Sequence, residues 1–538
     1  MKKFFSSKPA QPLIYALCIV IGLLGGKKLY QSQSYQLGFS NAETGKGKLY
    51  DILKKVNEYY VDSVDTRNLE EKTIVSLLKN LDPHSYYLSK ENMSSEDDRL
   101  NGNFSGIGVE FKIIDDTIVI MRAIEGGPSF KIGIQTGDKI IAVNGGGFTG
   151  DSVTSQLAMK HLKGEKGTEV KVNFLRDNKI VQTTITRGEI PLNSVDVFTV
   201  IKNEIGYIKI SRFSKRTNRE FEEAVAVLLK QDVKSFIIDV RDNPGGLMSS
   251  VVEVCESLLD KNKLIVYTKG RLENEEEKSR LKGKLADYPI YVLINENSAS
   301  ASEILAGAIQ DNDRGTIIGR RSFGKGLVQR PFMLADGSAL RLTIARYYTP
   351  SGRCIQRSYE HGNDEYNQES YNRGINGELS TADSIPVADS LKFYTTKGKL
   401  VYGGGGIVPD IFIPTDTSSF SDLAIQILNK QLVEHFLLQN LKYWKELLQD
   451  KDLSQSYFIL KEKDMMWNKF TSYVQAHEFF FGTERRNINL LKNRVEPILI
   501  NKILQLKFNE LGQHYSHFQS DPEILKAVEL HFSNKLNP

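Results

Sequence analysis

The segment PIYVLINENSASASEILAGAIQDN places three serines, Ser298, Ser300 and Ser302, between an apolar run of strand length at 291–295 and a stretch of helical spacing that begins at Ser302. A strand, a tight turn and a helix in that order suit a hydroxyl nucleophile. The turn presents the hydroxyl, and the unpaired amides and positive dipole end of the helix can hold a developing oxyanion. Helix caps and turn residues are the alternative for all three serines. Ser302, next to Glu303, reads as the first helical turn, and Ser298 follows Asn297 in the loop. Ser300 stands where an exposed turn hydroxyl belongs.

A serine hydroxyl needs a base. The chain has eight histidines, none in a specific setting near this segment. His84 in LDPHSYYL reads as a loop cap and His161 as a surface or partly packed residue, and a Ser-His-Asp triad stays open. Lys325 in GRRSFGKGLVQR is better placed. Gly324 and Gly326 allow close backbone approach, and Phe323, Leu327 and Val328 surround it in sequence. Burial penalises the charged amine and makes it usable as a base. Gln329, four residues on, shares a face with Lys325 in a helix or a strand and could orient the amine. A solvated loop charge is the alternative for an isolated lysine between glycines. GRRSFGKG also nearly matches a phosphate-binding loop through Gly319, Gly324 and Lys325. Gly326 replaces the metal-binding hydroxyl, and LVQRPFML reads as a strand, so nucleotide binding is disfavoured.

Four blocks must position these residues. Residues 45–95 carry helical periodicity (LYDILKKVNEYYVD, LEEKTIVSLLKNLD), 96–190 reads as short strands separated by glycine turns, and 191–416 alternates strands and helices as α/β domains do. Residues 417–538 read as helical and polar with interspersed aromatics. At the N-terminus, Lys2, Lys3 and Lys8 precede the 14-residue apolar run Leu13–Gly26, shorter than the roughly 20 residues of a typical span. Lys27 and Lys28 follow it in place of an A-x-A site. An uncleaved anchor within residues 1–30 is favoured, with a removed signal peptide as the other reading. Either puts the bulk of the chain outside the cytoplasm. The 538 residues carry a net charge of +4, which gives no reason to propose nucleic acid as a partner. Cys18, Cys255 and Cys354 form no CxxC pair, so no structural zinc is expected.

NSASASE followed by FGKGLVQ, with Lys325 25 residues after Ser300, resembles the carboxyl-terminal processing peptidases, or tail-specific proteases. YYVDSVDTRNLEE and LDPHSYYLS are similar to that family's N-terminal helical region, and FSGIGVEF with GGPSFKIGIQTGDKIIAVNG to its PDZ domain. FIIDVRDNPGGL is similar to its strand and Gly-rich turn, and FYTTKGKLVYGGGGIVPDIFIP to the end of its catalytic core. The likeness runs from about 45 to 415. The C-terminal block only weakly resembles an extra helical region of some members.

The resemblance implies an α/β multidomain serine endopeptidase: an N-terminal helical region, a β-rich PDZ domain, an α/β Ser/Lys protease core and a C-terminal helical region. Carried over by motif, Ser300 is the nucleophile, Lys325 the base and Gln329 its assistant. The amides of Ala301 and of Gly245 or Gly246 form the oxyanion hole, and no metal or cofactor is needed. Asp239 and Arg241 read as salt bridges that fix the Gly-rich turn. In SGIGVEF, the loop Ser105, Gly106, Ile107 and Gly108 would hold a terminal carboxylate, the following strand would add the substrate tail to the sheet, and Ser152–Leu162 would wall the groove. The expected partners are proteins with apolar C-terminal tails and, through the anchor, the inner membrane, with the catalytic domain in the periplasm. A homo-oligomer or an adaptor is left open. The competing reading is an inactive PDZ scaffold that binds protein C-termini, against which the intact Ser300, Lys325 and Gln329 speak.

Overall fold

The computed structural model describes residues 47–415, 422–476 and 488–536. The apolar run of the expected anchor lies outside the described residues. Among these, no helix is long and apolar enough to cross a membrane. Of the described residues, 47–76 belong to one compact unit and those from Leu77 onward to a second. The first contains helix Lys48–Tyr59, no residue of which is buried.

The α/β half of the second unit is built on a sheet ordered Val195–Ile201, Ile205–Ile210, Ser235–Asp239, Ile290–Ile294, Thr316–Gly319, Ile411–Phe412. The first pair is antiparallel and the remaining pairs are parallel. SFIID and IYVLI are buried at every position, as strands covered on both faces must be. Helices Thr217–Leu229, Met248–Leu258 and Ala301–Asp311 contribute Phe221, Leu258 and Leu305 to the core of one face. On the other face Phe518, Ile524, Ala527 and Val528, from the C-terminal block, pack against Tyr207, Ile237, Leu293 and Ile318. The carboxyl ends of three adjacent parallel strands, at Asp239, Ile294 and Gly319, feed the Gly-rich turn, the serine turn and the lysine loop. Open parallel sheets bind ligands beyond that edge.

A second sheet supports the lysine loop from below. Leu327–Met333 pairs antiparallel with Ala339–Tyr348, which also pairs with Leu264–Gly270 and Tyr86–Leu88. The last strand departs from the helical reading of residues 45–95. The Asp82 carboxylate accepts bonds from Ser85 N (2.9 Å) and Thr343 Oγ1 (3.1 Å), and this clamp turns β-favouring Tyr86 and Tyr87 onto the sheet edge.

Residues 103–106 and 188–191 form an antiparallel ribbon through which the chain enters and leaves the next domain. That domain is a sheet ordered Val109–Ile114, Thr117–Ala123, Lys139–Val143, Glu169–Arg176, Lys179–Thr186, closed over Ile118, Ile140, Val170 and Phe174. Val109–Ile114 is an edge strand. Thr154 Oγ1 caps helix Ser155–Leu162 by accepting from Leu157 N (3.1 Å). The C-terminal block has its own helical core around Trp444, Phe436 and Phe470. It grips the PDZ-like sheet through the Arg122–Glu510 pair (2.5 Å) and the Lys112–Glu434 pair.

Candidate active site

The structure separates the three serines. Ser298 and Ser302 are fully buried. Ser298 Oγ donates to Val240 O (2.8 Å) and Ser302 Oγ to Asn243 O (2.9 Å), so both hydroxyls are spent on holding the turn. Ser300 is half-buried, and its hydroxyl bonds no other side chain among the described residues. Its backbone has φ 54° and ψ −112°, a region that costs a non-glycine residue about 1–3 kcal/mol. The strain lifts the hydroxyl to the mouth of helix Ala301–Asp311.

Lys325 Nζ donates to Gln329 Oε1 (2.8 Å), and Gln329 Nε2 donates to the His84 carbonyl oxygen. The amide is therefore oriented by the segment that precedes strand Tyr86–Leu88. Burial, reinforced by the positive charges of Arg341 and Arg99, lowers the Lys325 pKa from 10.5 to about 8, against the pull of Glu303 and Asp82. The neutral amine is thus accessible near physiological pH. Lys325 Nζ is held by Gln329, and no hydrogen bond joins it to Ser300 Oγ. Catalytic bonds are often loose before substrate arrives. His84, read from sequence as a loop cap, instead accepts a place against Tyr366, its Nε2 2.7 Å from the phenol oxygen. Burial and Lys325 hold its pKa down at about 4, so it is neutral and engaged elsewhere.

Two residues not singled out in the sequence lock the serine turn to the lysine loop. The Glu303 carboxylate accepts from Ser300 N (2.8 Å), Lys325 N (2.9 Å), Gly324 N (2.7 Å) and Ser322 Oγ (2.5 Å). It is fully buried, and burial raises its pKa from the ordinary value. The Tyr347 hydroxyl lies 3.0 Å from Ser300 O and 2.6 Å from Lys325 O. The S-x-x-E spacing of a capping box, Ser300 to Glu303, is the sequence signal that could have found Glu303. Tyr347 comes from the second sheet, and no local pattern reveals it.

The Gly-rich turn lies against the serine. A Cβ on Gly245 (φ 97°) would stand 2.8 Å from Ser300 Cβ and 3.0 Å from Ala301 N. Gly245 N donates to Asn243 Oδ1 (2.8 Å), so its amide is already engaged. The Gly246 and Ala301 amides have no partner among the described residues, which narrows the expected pair of glycine donors to Gly246. Asp239, buried, pairs with Arg241 (2.6 Å), accepts from the Tyr207 hydroxyl (2.7 Å) and lies near Lys209 (3.3 Å). Asp239 and Arg241 thus brace the turn.

Residues 204–362 match the family model of Peptidase family S41, and residues 105–186 match that of the PDZ domain. The carboxy-terminal-processing protease of Bartonella bacilliformis is 37% identical over 316 residues, 57% of this chain and 71% of that protein. The carboxy-terminal processing protease CtpB of Bacillus subtilis is 35% identical over 330 residues, 59% of this chain and 68% of that protein. The chain belongs to the carboxy-terminal processing protease family. It is a serine-type peptidase with a PDZ domain and an S41 core. Among solved structures, the photosystem II D1 C-terminal processing protease matches with 25% identity and a TM-score of 0.36, covering 70% of this chain and 90% of that one.

In this member of the carboxy-terminal processing proteases, the loop Ser105–Gly108 sits at the neck of the PDZ domain. Ser105 and Gly106 belong to the ribbon, and Ile107 is buried in the PDZ core. The carbonyls of Ile107 and Gly108 point inward, accepting from Ser129 N and Ile124 N (both 3.0 Å). The amide of Gly108 takes no partner among the described residues, whereas that of Ile107 faces the bridge between Gly106 and Lys163. Gly108 has φ 75°, and a Cβ there would meet Ile190 Cδ1 at 2.7 Å. A cleft of about 900 Å³ between the PDZ sheet and the C-terminal helices, lined by Gly137, His435 and Tyr473 among others, does not reach Ser300 or Lys325.

Proposed function

We propose that this protease cleaves extracytoplasmic proteins that present apolar C-terminal tails, using Ser300 and Lys325 as a catalytic dyad. The observation that carries the reading is a strained Ser300, its hydroxyl bonded to no other side chain among the described residues, alongside a buried lysine of lowered pKa, the two backbones tied by one carboxylate. Neutral Lys325 takes the proton of Ser300 as the oxygen attacks the peptide carbonyl. The amides of Ala301 and Gly246 receive the oxyanion, an interaction typically worth about 2.7–4 kcal/mol per donor. Lys325 then protonates the leaving amine, and water releases the acyl group by the same route. Gln329, fixed by His84 O, keeps the amine aimed.

The PDZ loop supplies the selection. The unpartnered amide of Gly108, in a glycine-containing loop, suits a terminal carboxylate, and the free edge of Val109–Ile114 can pair with the last residues of a tail. The basic and apolar N-terminal segment supports an anchor in the inner membrane with the catalytic domain in the periplasm.

The test is cleavage of an unfolded protein with an apolar C-terminus by the purified chain, with no added metal or nucleotide. Wild type is compared with Ser300→Ala and Lys325→Ala, and with a substrate whose terminal carboxylate is amidated. Turnover that survives either substitution sinks the dyad. Indifference to amidation sinks the tail-reading role. Fractionation of cells expressing the full chain, with added protease as a probe of exposure, tests the location: a soluble cytoplasmic pool would overturn it.

A further inference from the structure

Three segments converge on the dyad from the carboxyl edge of the sheet, and each carries a charged residue that points away from the catalytic side. Arg241 precedes the Gly-rich turn, Glu296 lies in the serine loop, and Arg320 opens the lysine loop. A single carboxylate from the C-terminal block connects them. Glu523 Oε1 accepts from Arg320 Nη1 (2.7 Å) and its Oε2 accepts from Arg241 Nη1 (3.2 Å). Arg320 Nε in turn donates to Glu296 (2.8 Å). Asp521 adds a second grip on Arg241 Nη1 (2.7 Å), while its other oxygen caps the helix by accepting from Ile524 N (3.0 Å). Glu523 is 5% exposed, and both guanidinium groups are nearly covered.

We infer that Glu523 is a positioning residue of the catalytic centre, which sets the Gly-rich turn, the serine loop and the lysine loop in mutual register from outside the core. The inference rests on the Ser300/Lys325 reading. Its physical basis is the cost of misplacement. The same turn is cross-linked on its inner side, where Asp242 N donates to Asn295 Oδ1 and Asn295 Nδ2 to Asp242 Oδ1 (both 2.9 Å). That cross-link fixes the turn to the serine loop but leaves the lysine loop out. On the inner side Glu303 ties the lysine loop to the serine turn; among the described residues, the Glu523 carboxylate alone reaches Arg241 and Arg320 together, so it joins the Gly-rich turn to the lysine loop directly. Without Glu523, Glu296 would be the one carboxylate left on Arg320 among the described residues, while Arg241 would keep Asp239 and Asp521. Burial raises the Glu523 pKa from its ordinary value, with the two arginines opposing that rise.

Apolar contacts dock the C-terminal segment alongside this carboxylate. Phe518, Ile524, Ala527 and Val528 bury apolar surface on the core sheet, and the Phe518 and Tyr207 rings meet edge to face at 5.0 Å. Burial of that kind is the dominant force in such packing. An effect of Glu523 on catalysis can therefore be separated from loss of the helix.

The test uses the full chain and the variants Glu523→Gln, Glu523→Ala and Glu529→Ala. Glu529 is exposed on the same helix and pairs with Lys526 alone (2.8 Å). The readouts are kcat and KM on the tailed substrate, the rate of Ser300 labelling by a fluorophosphonate, and the melting midpoint. All rates are referred to the folded fraction. We expect kcat and the labelling rate to fall together, by about tenfold for Gln and about a hundredfold for Ala, as small misplacements of catalytic groups do. KM should stay within about twofold, as expected when only the transition state loses support, and Glu529→Ala should match wild type. If Glu523→Ala does not fold, the isosteric Gln variant decides. Wild-type kcat per folded molecule in the Gln and Ala variants overturns the inference while Ser300→Ala and Lys325→Ala remain inactive. Activity in Ser300→Ala or Lys325→Ala marks failure of the dyad itself.

Discussion

In the proposed mechanism the Gly-rich turn at Asp242–Gly246 and the PDZ loop at Ser105–Gly108 would each meet a negative oxygen, yet the two are built by opposite means. The turn is held by charges: Asp239, Arg241, Glu523 and the Asp242–Asn295 pair. The loop is held by apolar contacts, with Ile107 in the domain core and Ile190 packed under Gly108. An oxyanion exists only in passing, so its donors must stand in place beforehand, and short directional ion pairs provide that. A terminal carboxylate is a stable ligand that can settle into a more forgiving cradle. The contrast assigns the turn to rate and the loop to selection.

Breaking the turn should therefore cost far more turnover than breaking the loop. The largest effect is expected for Ser300→Ala, a fall in kcat on the order of 10⁴-fold or more, read by cleavage of the tailed substrate and by loss of fluorophosphonate labelling. Gly245→Ala comes next. Its methyl would stand 2.8 Å from Ser300 Cβ, and kcat should drop by about 10²–10³ with little change in KM. An equal rise in KM would merge the two roles that the contrast separates. Gly108→Ala should raise KM for tailed substrates about tenfold, worth roughly 1.4 kcal/mol, and leave the hydrolysis of a short tail-less peptide unchanged. The smallest effect concerns pH. Activity should rise through about pH 8 as Lys325 loses its proton. Arg341→Gln removes a neighbouring positive charge, so the protonated amine becomes less unfavourable and the rising limb should move to higher pH by a fraction of a unit. A shift in the opposite direction in a pH–rate profile would exclude Lys325 as the titrating base.

The features legible in the sequence were those written in consecutive residues. Strand Ile290–Ile294, helix Ala301–Asp311, strand Leu327–Met333 and the motifs around Ser300 and Lys325 follow from apolar runs, glycine spacing and resemblance. What escaped was contributed by distant segments. Tyr347 reaches the site only because Ala339–Tyr348 pairs with Leu327–Met333. The His84 carbonyl meets Gln329 only because Tyr86–Leu88 joins the same sheet, and the helical periodicity before it hid that strand. Asp521 and Glu523 look in sequence like ordinary acids at a helix start, and their arginine partners lie 203 to 282 residues away. The choice between Gly245 and Gly246 was equally invisible, since it turns on which amide Asn243 occupies.

The ribbon formed by Asn103–Gly106 and Gly188–Pro191 has a consequence for how this architecture can be rebuilt. Both chain crossings into the PDZ domain run side by side as paired strands, about 4.8 Å apart. Excision of the intervening residues could be closed by a short turn without moving either strand, and another tail-reading module could be spliced in at the same neck. If the PDZ domain sets selectivity as proposed, the chain carries it as an interchangeable cartridge, with the two glycines at the ribbon's end, Gly106 and Gly188, marking where the seam would be cut.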